Sequence, residues 1–249
     1  MLSLFRRITA PAAEVSSFDI SHGGETYVVA IRRSASARRL TLRVRAASRD
    51  VVLTMPARSP LKAARDFTER HGAWIGVRLR RLPQQIAFVP GAFIPLRGVE
   101  HVVTHRAGTR GTVTIEALDD GRLGLCVAGG EAHVPRRVTD YLMAQARRDI
   151  EAAVAFYTAA IKQPARSITL RDTSSRWGSC SSQGSLNFSW RLVLAPAYVL
   201  DYLCAHEVAH LVHMNHSARF WKLTRSLCPA TDRAEAWLKA HGSGLHKYG

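Results

Sequence analysis

The chain has 249 residues, of which 47% are hydrophobic and 22% are charged. That length allows one good core or two small lobes around a shared one, and the composition is that of a globular protein. No apolar run approaches the roughly 20 residues that a membrane-spanning helix requires, so we expect no membrane partner.

The charge balance is strongly basic, with 35 Lys and Arg residues against 19 Asp and Glu residues and a formal net charge of +16. Such a field favours polyanions, including nucleic acids and nucleotides. Nearly all of the excess is arginine, however, and a chain rich in alanine and arginine can also reflect the base composition of a genome. Charge by itself therefore supports a nucleic-acid partner only weakly.

The four cysteines show no CxxC pair and no dense framework, which indicates reduced thiols. The first residues, MLSLFRRITAPAAEVSS, contain arginines but lack the apolar segment of a secretory signal. We therefore expect a cytoplasmic protein.

The first half of the chain predicts mainly β-strands. ETYVVAIRR and RRLTLRVR alternate apolar with polar residues, the period of a half-buried strand, and VVLTMP continues the pattern to Pro56. Residues 59–82 predict one amphipathic helix, with Ser59 as the N-cap and Pro60 at the first helical position. Short strands follow in FIPLRGVEHVVTHR, TVTIEA and LGLCVAG.

The pattern changes near Val134. PRRVTDYLMAQARRDIEAAVAFYTAAI predicts a long helix, SITLRD a short strand, and SSRWGSCSSQGSLNFSWRL a loop followed by a strand. A further helix begins near Pro196, and ATDRAEAWLKAHG predicts a last one. We predict an α+β fold with an N-terminal tail (1–17), a β-rich N-terminal lobe with one helix (18–133) and a helical C-terminal lobe with a short sheet (134–249).

Residues 204–216 read CAHEVAHLVHMNH, with four histidines and one glutamate. His206 and His210 are four residues apart, so on a helix they lie one turn apart on the same face and can bind one metal ion. Glu207 lies between them and can accept a proton from water, as in the H-E-x-x-H pattern of zinc peptidases. The alternative is a purely structural helix that happens to be rich in histidine.

Catalytic zinc needs a third protein ligand, and the candidates are His213, His216 and a distant acidic residue. His213 lies about one further turn along the helix, roughly 5 Å of rise, from which a single imidazole reaches back poorly. Asn215 is of a residue type that often ends helices in the left-handed conformation. A chain reversal there would return His216 to the ion, so we predict His216 as the third ligand. His213 would then face solvent or pack behind a ligand.

The sequence RWGSCSSQGSLNFSWRLVLAPAYVLDYLCAHEVAHLVHMNHSARFW, residues 176–221, closely resembles the signature region of YgjP-like metallopeptidase-fold proteins. These are bacterial relatives of SprT-like and WLM-type zincins. RRSASARRLTLRVRAASRDVVLTMP and the helix after it resemble the N-terminal part of the same family, so the resemblance covers most of the chain.

The resemblance implies a zincin-like C-terminal lobe with an HExxH active-site helix. It also implies Zn²⁺ held by His206, His210 and His216, with Glu207 as the general base. The segment NHSARFW matches the NHSxxFW ending of the family, which supports His216. The zinc ribbon of some SprT-like relatives is absent, because the chain has no cysteine pairs.

The residues around the motif allow further interpretations. LNFSW alternates apolar with polar residues and is either a strand that aligns an extended substrate by β-addition or simply a sheet strand. Cys180 is interpreted as a packed or loop thiol and not as a nucleophile. We expect Phe220 and Trp221 to be core residues that anchor the segment presenting His216.

The sequence does not decide which residue stabilises the oxyanion, and the candidates are Arg176, Arg191 and Tyr202.

Metal-assisted hydrolysis is the chemistry that this pattern predicts, and a zinc-dependent metallopeptidase acting on a peptide or protein is the leading function. The resemblance carries an alternative, a nucleoside triphosphate (UTP) pyrophosphatase using the same metal site. No P-loop and no acidic cluster for Mg²⁺ accompanies that alternative.

A third hypothesis comes from residues 32–49, which hold seven arginines and no acidic residue. They suggest a basic nucleic-acid-binding protein with a structural zinc, or a protease acting on DNA-bound proteins. The plainer interpretation is a hairpin whose polar face is rich in arginine.

Overall fold

The computed structural model describes residues 16–45, 49–82, 84–108, 111–173 and 176–249. Across these ranges the chain is a mixed α+β protein with eleven strands and six α-helices. Contacts divide it into two compact units, Met1–Leu82 and Pro83–Gly249. None of the helices in these ranges combines the length and apolar character needed to cross a membrane.

The first unit contains a four-stranded sheet and two helices. The strands are β1 (Ser17–His22), β2 (Glu25–Ser34), β3 (Thr41–Val44) and β4 (Val51–Pro56), in the order β1-β2-β4-β3. β2 and β4 are parallel, and the other two pairings are antiparallel. The alternating pattern places Val29 and Leu53 in a core shared with Ala64 and Ile75 of the helices.

The single helix predicted for residues 59–82 is in fact two helices, α1 (Leu61–Arg70) and α2 (Gly72–Arg80). The helix is interrupted at His71, where φ is −102° and ψ is 9°. Gly72 packs so closely on the end of β1 that a Cβ there would lie 2.7 Å from Cβ of His22. The prediction of Ser59 as N-cap was also wrong, because Pro60 occupies that position.

The second unit begins with another four-stranded sheet. Its strands are β5 (Phe93–Leu96), β6 (Val99–Arg106), β7 (Val113–Ala117) and β8 (Leu123–Ala128), in the order β5-β6-β8-β7. Arg97 and Gly98 form the turn between β5 and β6 with φ values of 53° and 78°. Gly98 is needed there for a second reason, since a Cβ would lie 2.9 Å from Cα of Pro196.

The long helix predicted after Val134 is confirmed as α3 (Val134–Ile161). Its buried side chains, including Val138 and Leu142, share one hydrophobic core with Leu125 and Val127 of β8. Because β5–β8 pack into the core of α3, the division between the units lies at Leu82 and Pro83, whereas the sequence pattern placed a boundary near residue 134.

Of the expected N-terminal tail, residues 1–15 lie outside the described residues, and Ser17 already belongs to β1.

The remaining elements form a small sheet and three helices. The strands are β9 (Ser167–Arg171), β10 (Gly178–Cys180) and β11 (Ser185–Ser189), in the order β10-β11-β9. The helices are α4 (Ala197–Ala209), α5 (Ala218–Leu227) and α6 (Thr231–His241). Short 3-10 segments cover Trp190–Leu194 and Gly242–Lys247. The sequence pattern did not predict α5 as a separate helix.

Candidate metal centre

Helix α4 lies in the middle of the second unit. Most of its side chains are buried, including Val199, Leu203 and Val208, so tertiary packing stabilises it. His206 and Glu207 lie in its last turn, and His210 is its C-cap. The histidines are thus carried at the end of a rigid element.

Three imidazoles converge at this end of α4. The ring nitrogens that His206, His210 and His216 can offer to a metal all lie within 4.8 Å of one another. Nε2 of His206 is 3.2 Å from Nε2 of His216. Two imidazole nitrogens on tetrahedral zinc, with Zn–N bonds near 2.0–2.1 Å, are separated by about 3.3 Å. The donor set and its spacing therefore fit a zinc-sized ion.

The chain reaches His216 by a tight turn after α4. The amides of Leu211 and Val212 donate to the carbonyls three residues earlier, at 2.9 Å and 3.1 Å, so the helix ends in a tightened turn. The left-handed Asn215 expected from the sequence is wrong, since φ is not positive there. Instead, Ser217 caps α5, and its hydroxyl accepts a hydrogen bond from the amide of Phe220 at 3.4 Å. His216 is consequently held just before the first turn of α5.

The ring of His213 does not belong to the cluster, but its backbone does contact a cluster member. Nδ1 of His210 lies 3.0 Å from the carbonyl oxygen of His213. A carbonyl oxygen can only accept, so Nδ1 of His210 carries the hydrogen and Nε2 keeps its lone pair. The segment after α4 therefore sets the tautomer of His210.

Phe220 forms an aromatic wall beside the three imidazoles. It is fully buried and stacks on His210 with a centroid distance of 4.4 Å and an interplanar angle of 26°. Its ring meets His206 at 4.9 Å and His216 at 4.8 Å, both edge to face. Trp221 lies farther out, 5.8 Å from each of those two rings. One side chain of α5 thus restrains all three histidines.

Burial makes the neutral form of His206 and His210 the preferred one. Desolvation, together with the neighbouring imidazoles His210 and His216, lowers the pKa of His206 to about 4. Desolvation also lowers the pKa of His210. Neutral imidazole is the form that binds a metal, so the site is prepared for ligation at neutral pH.

Glu207 is 4% exposed and lies against β10. Its Oε2 atom finds no hydrogen-bond partner among the residues that the structure describes. Burial raises the pKa of Glu207 to about 7, and the charge of Arg176 opposes that rise. A carboxyl group with a pKa near neutrality suits general acid–base chemistry.

Gly178 creates the space that this carboxylate occupies. A Cβ on Gly178 would lie 2.5 Å from Oε1 of Glu207 and 2.8 Å from its Cγ. The sequence pattern predicted a loop where Gly178–Cys180 form β10, and it did not identify this requirement. The position of glycine in RWGSC was the available signal.

Two of the three candidates for the oxyanion role are already engaged elsewhere. Arg191 is buried, with Nε 2.7 Å and Nη2 3.0 Å from the carboxylate of Asp172. The hydroxyl of Tyr202 lies 3.2 Å from Nδ1 of His206 and 3.1 Å from Oε1 of Glu235. Arg176 is exposed, and its charge acts on Glu207. Of the three candidates, Arg176 is the one whose charge acts on the Glu207 carboxyl group, so it is kept as the candidate for that role.

Of the two interpretations of LNFSW, the substrate-aligning strand is wrong and the ordinary sheet strand fits. That segment is β11, the central strand of its sheet, paired with β10 on one side and β9 on the other. A central strand has no free edge for β-addition. The edge strand beside Glu207 is β10.

Cys180 lies on β10 and is half-buried, and burial raises the pKa of its thiol, as the packed-thiol interpretation requires.

The sequence matches the profile of the YgjP-like metallopeptidase domain over residues 38–241, which is most of the chain. The chain belongs to the YgjP-like metallopeptidase family. This membership confirms the resemblance and supports a metallopeptidase type of hydrolase that uses a metal ion.

Among solved structures, this YgjP-like protein overlaps the crystal structure of the metallopeptidase zymogen of Pyrococcus abyssi abylysin, with 18% identity and a TM-score of 0.34. The overlap covers 39% of this chain and 94% of that one. So partial a likeness does not establish a shared fold. No curated protein sequence matches the chain.

Proposed function

We propose that this protein is a zinc-dependent peptidase in which His206, His210 and His216 hold the ion and Glu207 is the general base. The convergence of the three imidazoles within 4.8 Å at the end of one helix carries the proposal. Three histidine ligands would leave a bound zinc ion one open position for water or substrate, which is the arrangement of a catalytic zinc site.

A bound zinc ion supplies Lewis-acid polarisation and lowers the pKa of water toward neutrality. The remaining work falls to the chain itself. Glu207 takes the proton from the attacking water and passes it to the leaving amine. Its carboxylate is available for this because Glu207 directly follows His206 in the last turn of α4. Arg176 is the cation that would meet the developing oxyanion.

An extended peptide fits this arrangement through β10. β10 is an edge strand whose first residue, Gly178, contacts Glu207. A peptide that paired with its free edge would bring one carbonyl group after another past the carboxylate. Backbone pairing of this kind gives affinity without demanding a particular sequence, so we expect unfolded or extended chains as substrates.

The proposal is tested by comparing the wild-type protein with Glu207→Gln and His206→Ala. Glu207→Gln should retain zinc and lose hydrolysis by a factor of about 10²–10⁴, the usual contribution of general acid–base catalysis. His206→Ala should bind zinc much more weakly, because it removes one of the three converging nitrogens. Zinc-loaded Glu207→Gln protein with undiminished hydrolysis would remove Glu207 from the mechanism.

The choice of substrate separates the peptidase from the pyrophosphatase. Denatured protein, mixed peptides and the four ribonucleoside triphosphates are offered to the same preparations, and products are identified by mass spectrometry. The peptidase proposal expects peptide cleavage that Glu207→Gln abolishes. Cleavage of triphosphates alone would assign the same residues to phosphoryl chemistry instead.

A further inference from the structure

His206 has a hydrogen-bonded partner behind it that no sequence motif marks. The hydroxyl of Tyr202, one helical turn earlier on α4, lies 3.2 Å from Nδ1 of His206. Tyr202 is 3% exposed and its ring meets the imidazole edge to face at 5.7 Å. The phenol is therefore held in place by packing as well as by this contact.

Glu235 completes the arrangement from a different helix. It lies on α6, 33 residues farther along the chain, and its Oε1 is 3.1 Å from the Tyr202 hydroxyl. Residues at this separation meet only because α6 packs on α4. The chain of contacts thus runs from carboxylate to phenol to imidazole.

The direction of the hydrogen bonds follows from the chemistry of the three groups. A carboxylate can only accept, and a phenol has one hydrogen, which goes to Glu235. The phenol oxygen is then left to accept from Nδ1–H of His206. That hydrogen on Nδ1 leaves the Nε2 lone pair free on the side where Nε2 of His216 lies, 3.2 Å away.

We propose that Tyr202 and Glu235 are positioning residues that fix the tautomer and ring orientation of His206 as a metal ligand. The inference rests on the proposed ligand role of His206. His210 is fixed in the same sense by the carbonyl oxygen of His213. The two ligands from α4 are therefore both held as Nδ1–H tautomers, one through side chains of two helices and the other through the backbone.

Zinc affinity, measured by competition with a chromophoric chelator on the full chain, tests the proposal. Tyr202→Phe keeps the ring and removes the acceptor, and it should weaken zinc binding about 10–100-fold, the usual effect of losing an outer partner of a ligating histidine. Glu235→Gln, which keeps an accepting oxygen without the charge, should weaken it less than Glu235→Ala. Tyr198→Phe makes the same chemical change one turn earlier on α4 and should leave the affinity at the wild-type value.

A double-mutant cycle separates positioning from a general loss of structure. In a His206→Ala background, Tyr202→Phe should cause no further loss of affinity, because the group that it orients is gone. The visible spectrum of the cobalt-substituted protein should change in Tyr202→Phe and stay unchanged in Tyr198→Phe. An equal loss in both backgrounds, or wild-type affinity in Tyr202→Phe, overturns the proposal.

The outcomes also separate this inference from the proposed peptidase function. If the wild-type protein binds zinc and Tyr202→Phe weakens that binding, but no substrate is hydrolysed, the peptidase proposal is refuted and the positioning role still holds. A hydrolytic wild type with an indifferent Tyr202→Phe would refute the positioning role alone. A wild-type protein that binds no zinc would refute both.

Discussion

Gly178 and Glu207 are in direct contact, with no room between them for a methyl group: a Cβ on Gly178 would lie 2.5 Å from Oε1 of Glu207. The contact joins the edge strand β10 to the last turn of α4. The proposed general base and the strand proposed to align the substrate are therefore positioned by the same pair of residues.

Gly178→Ala should inactivate the protein without removing its metal. The added methyl group forces the Glu207 carboxylate to move, because the three atoms nearest to the added carbon all belong to Glu207. The histidines are expected to stay in place. Overpacking at a buried contact also costs roughly 1–3 kcal/mol of folding free energy. The measurements are zinc content, the rate of peptide hydrolysis and the free energy of unfolding.

Gly244→Ala is the matched control for that substitution. A Cβ at Gly244 meets nothing within 4 Å, so its activity and stability should match the wild type. A fully active Gly178→Ala protein would show that the carboxylate does not need its present position.

The two histidines after α4 should differ sharply in their effect on the metal. His216→Ala removes a ring nitrogen from the cluster and should reduce zinc affinity by more than the 10–100-fold typical of an outer partner. His213→Ala keeps the backbone carbonyl that holds His210, so its affinity should stay close to that of the wild type. Equal loss of zinc from His213→Ala would contradict the assignment of His216 as third ligand.

The spacing of His206 and His210 could be interpreted from sequence because it depends only on the geometry of one helix. The end of that helix could not. α4 stops at Ala209, and the reversal uses the cap at Ser217 instead of a left-handed Asn215. The observed reversal still brings His216 to the other two histidines, although the local conformation differs from the expected one.

Contacts between distant elements account for what the sequence pattern missed. Gly72, next to the break at His71, packs on the side chain of His22, and the hydroxyl of Tyr202 meets Glu235 of another helix. The position of the domain division depends on whether the strands at residues 93–128 pack with the chain before or after them. None of these three features produces a periodic pattern in the sequence, because each depends on a residue or an element far along the chain.

Phe220→Leu should weaken zinc binding as well as the fold. The aromatic ring contacts all three imidazoles at 4.4–4.9 Å between centroids, and a leucine side chain is too short to maintain the stacking on His210. The loss of ring contacts in a fully buried site should cost about 1–2 kcal/mol of folding free energy. Thermal unfolding of the metal-free protein and chelator competition measure the two effects separately.

Phe156→Leu serves as the control because Phe156 is 69% exposed on α3. It should change neither zinc affinity nor stability by a measurable amount. Zinc affinity in Phe220→Leu equal to that of the control would mean that the imidazoles keep their orientation without the aromatic wall.

A nucleic-acid partner remains a prediction, and the sheet of the first unit offers a face on which to test it. Arg32 of β2, Arg43 of β3 and Arg45 just after β3 alternate with the more buried positions and are exposed. Arg33 lies at the opposite phase, and its guanidinium donates to the carbonyl oxygens of Ala57 and Ser59. The exposed set is therefore the part of the arginine-rich segment that is presented on one face.

Replacing Arg32, Arg43 and Arg45 together by glutamine should reduce the salt dependence of duplex DNA binding. Each phosphate contact contributes about 0.9 to the slope of log affinity against log salt, so the slope should fall by about two to three. Fluorescence anisotropy across a salt series measures it. The same replacement at Arg70, Arg78 and Arg81, which removes equal charge from the helical side of the unit, should change the slope less. Equal changes from both sets would mean that the basic charge acts as a diffuse field without a binding face.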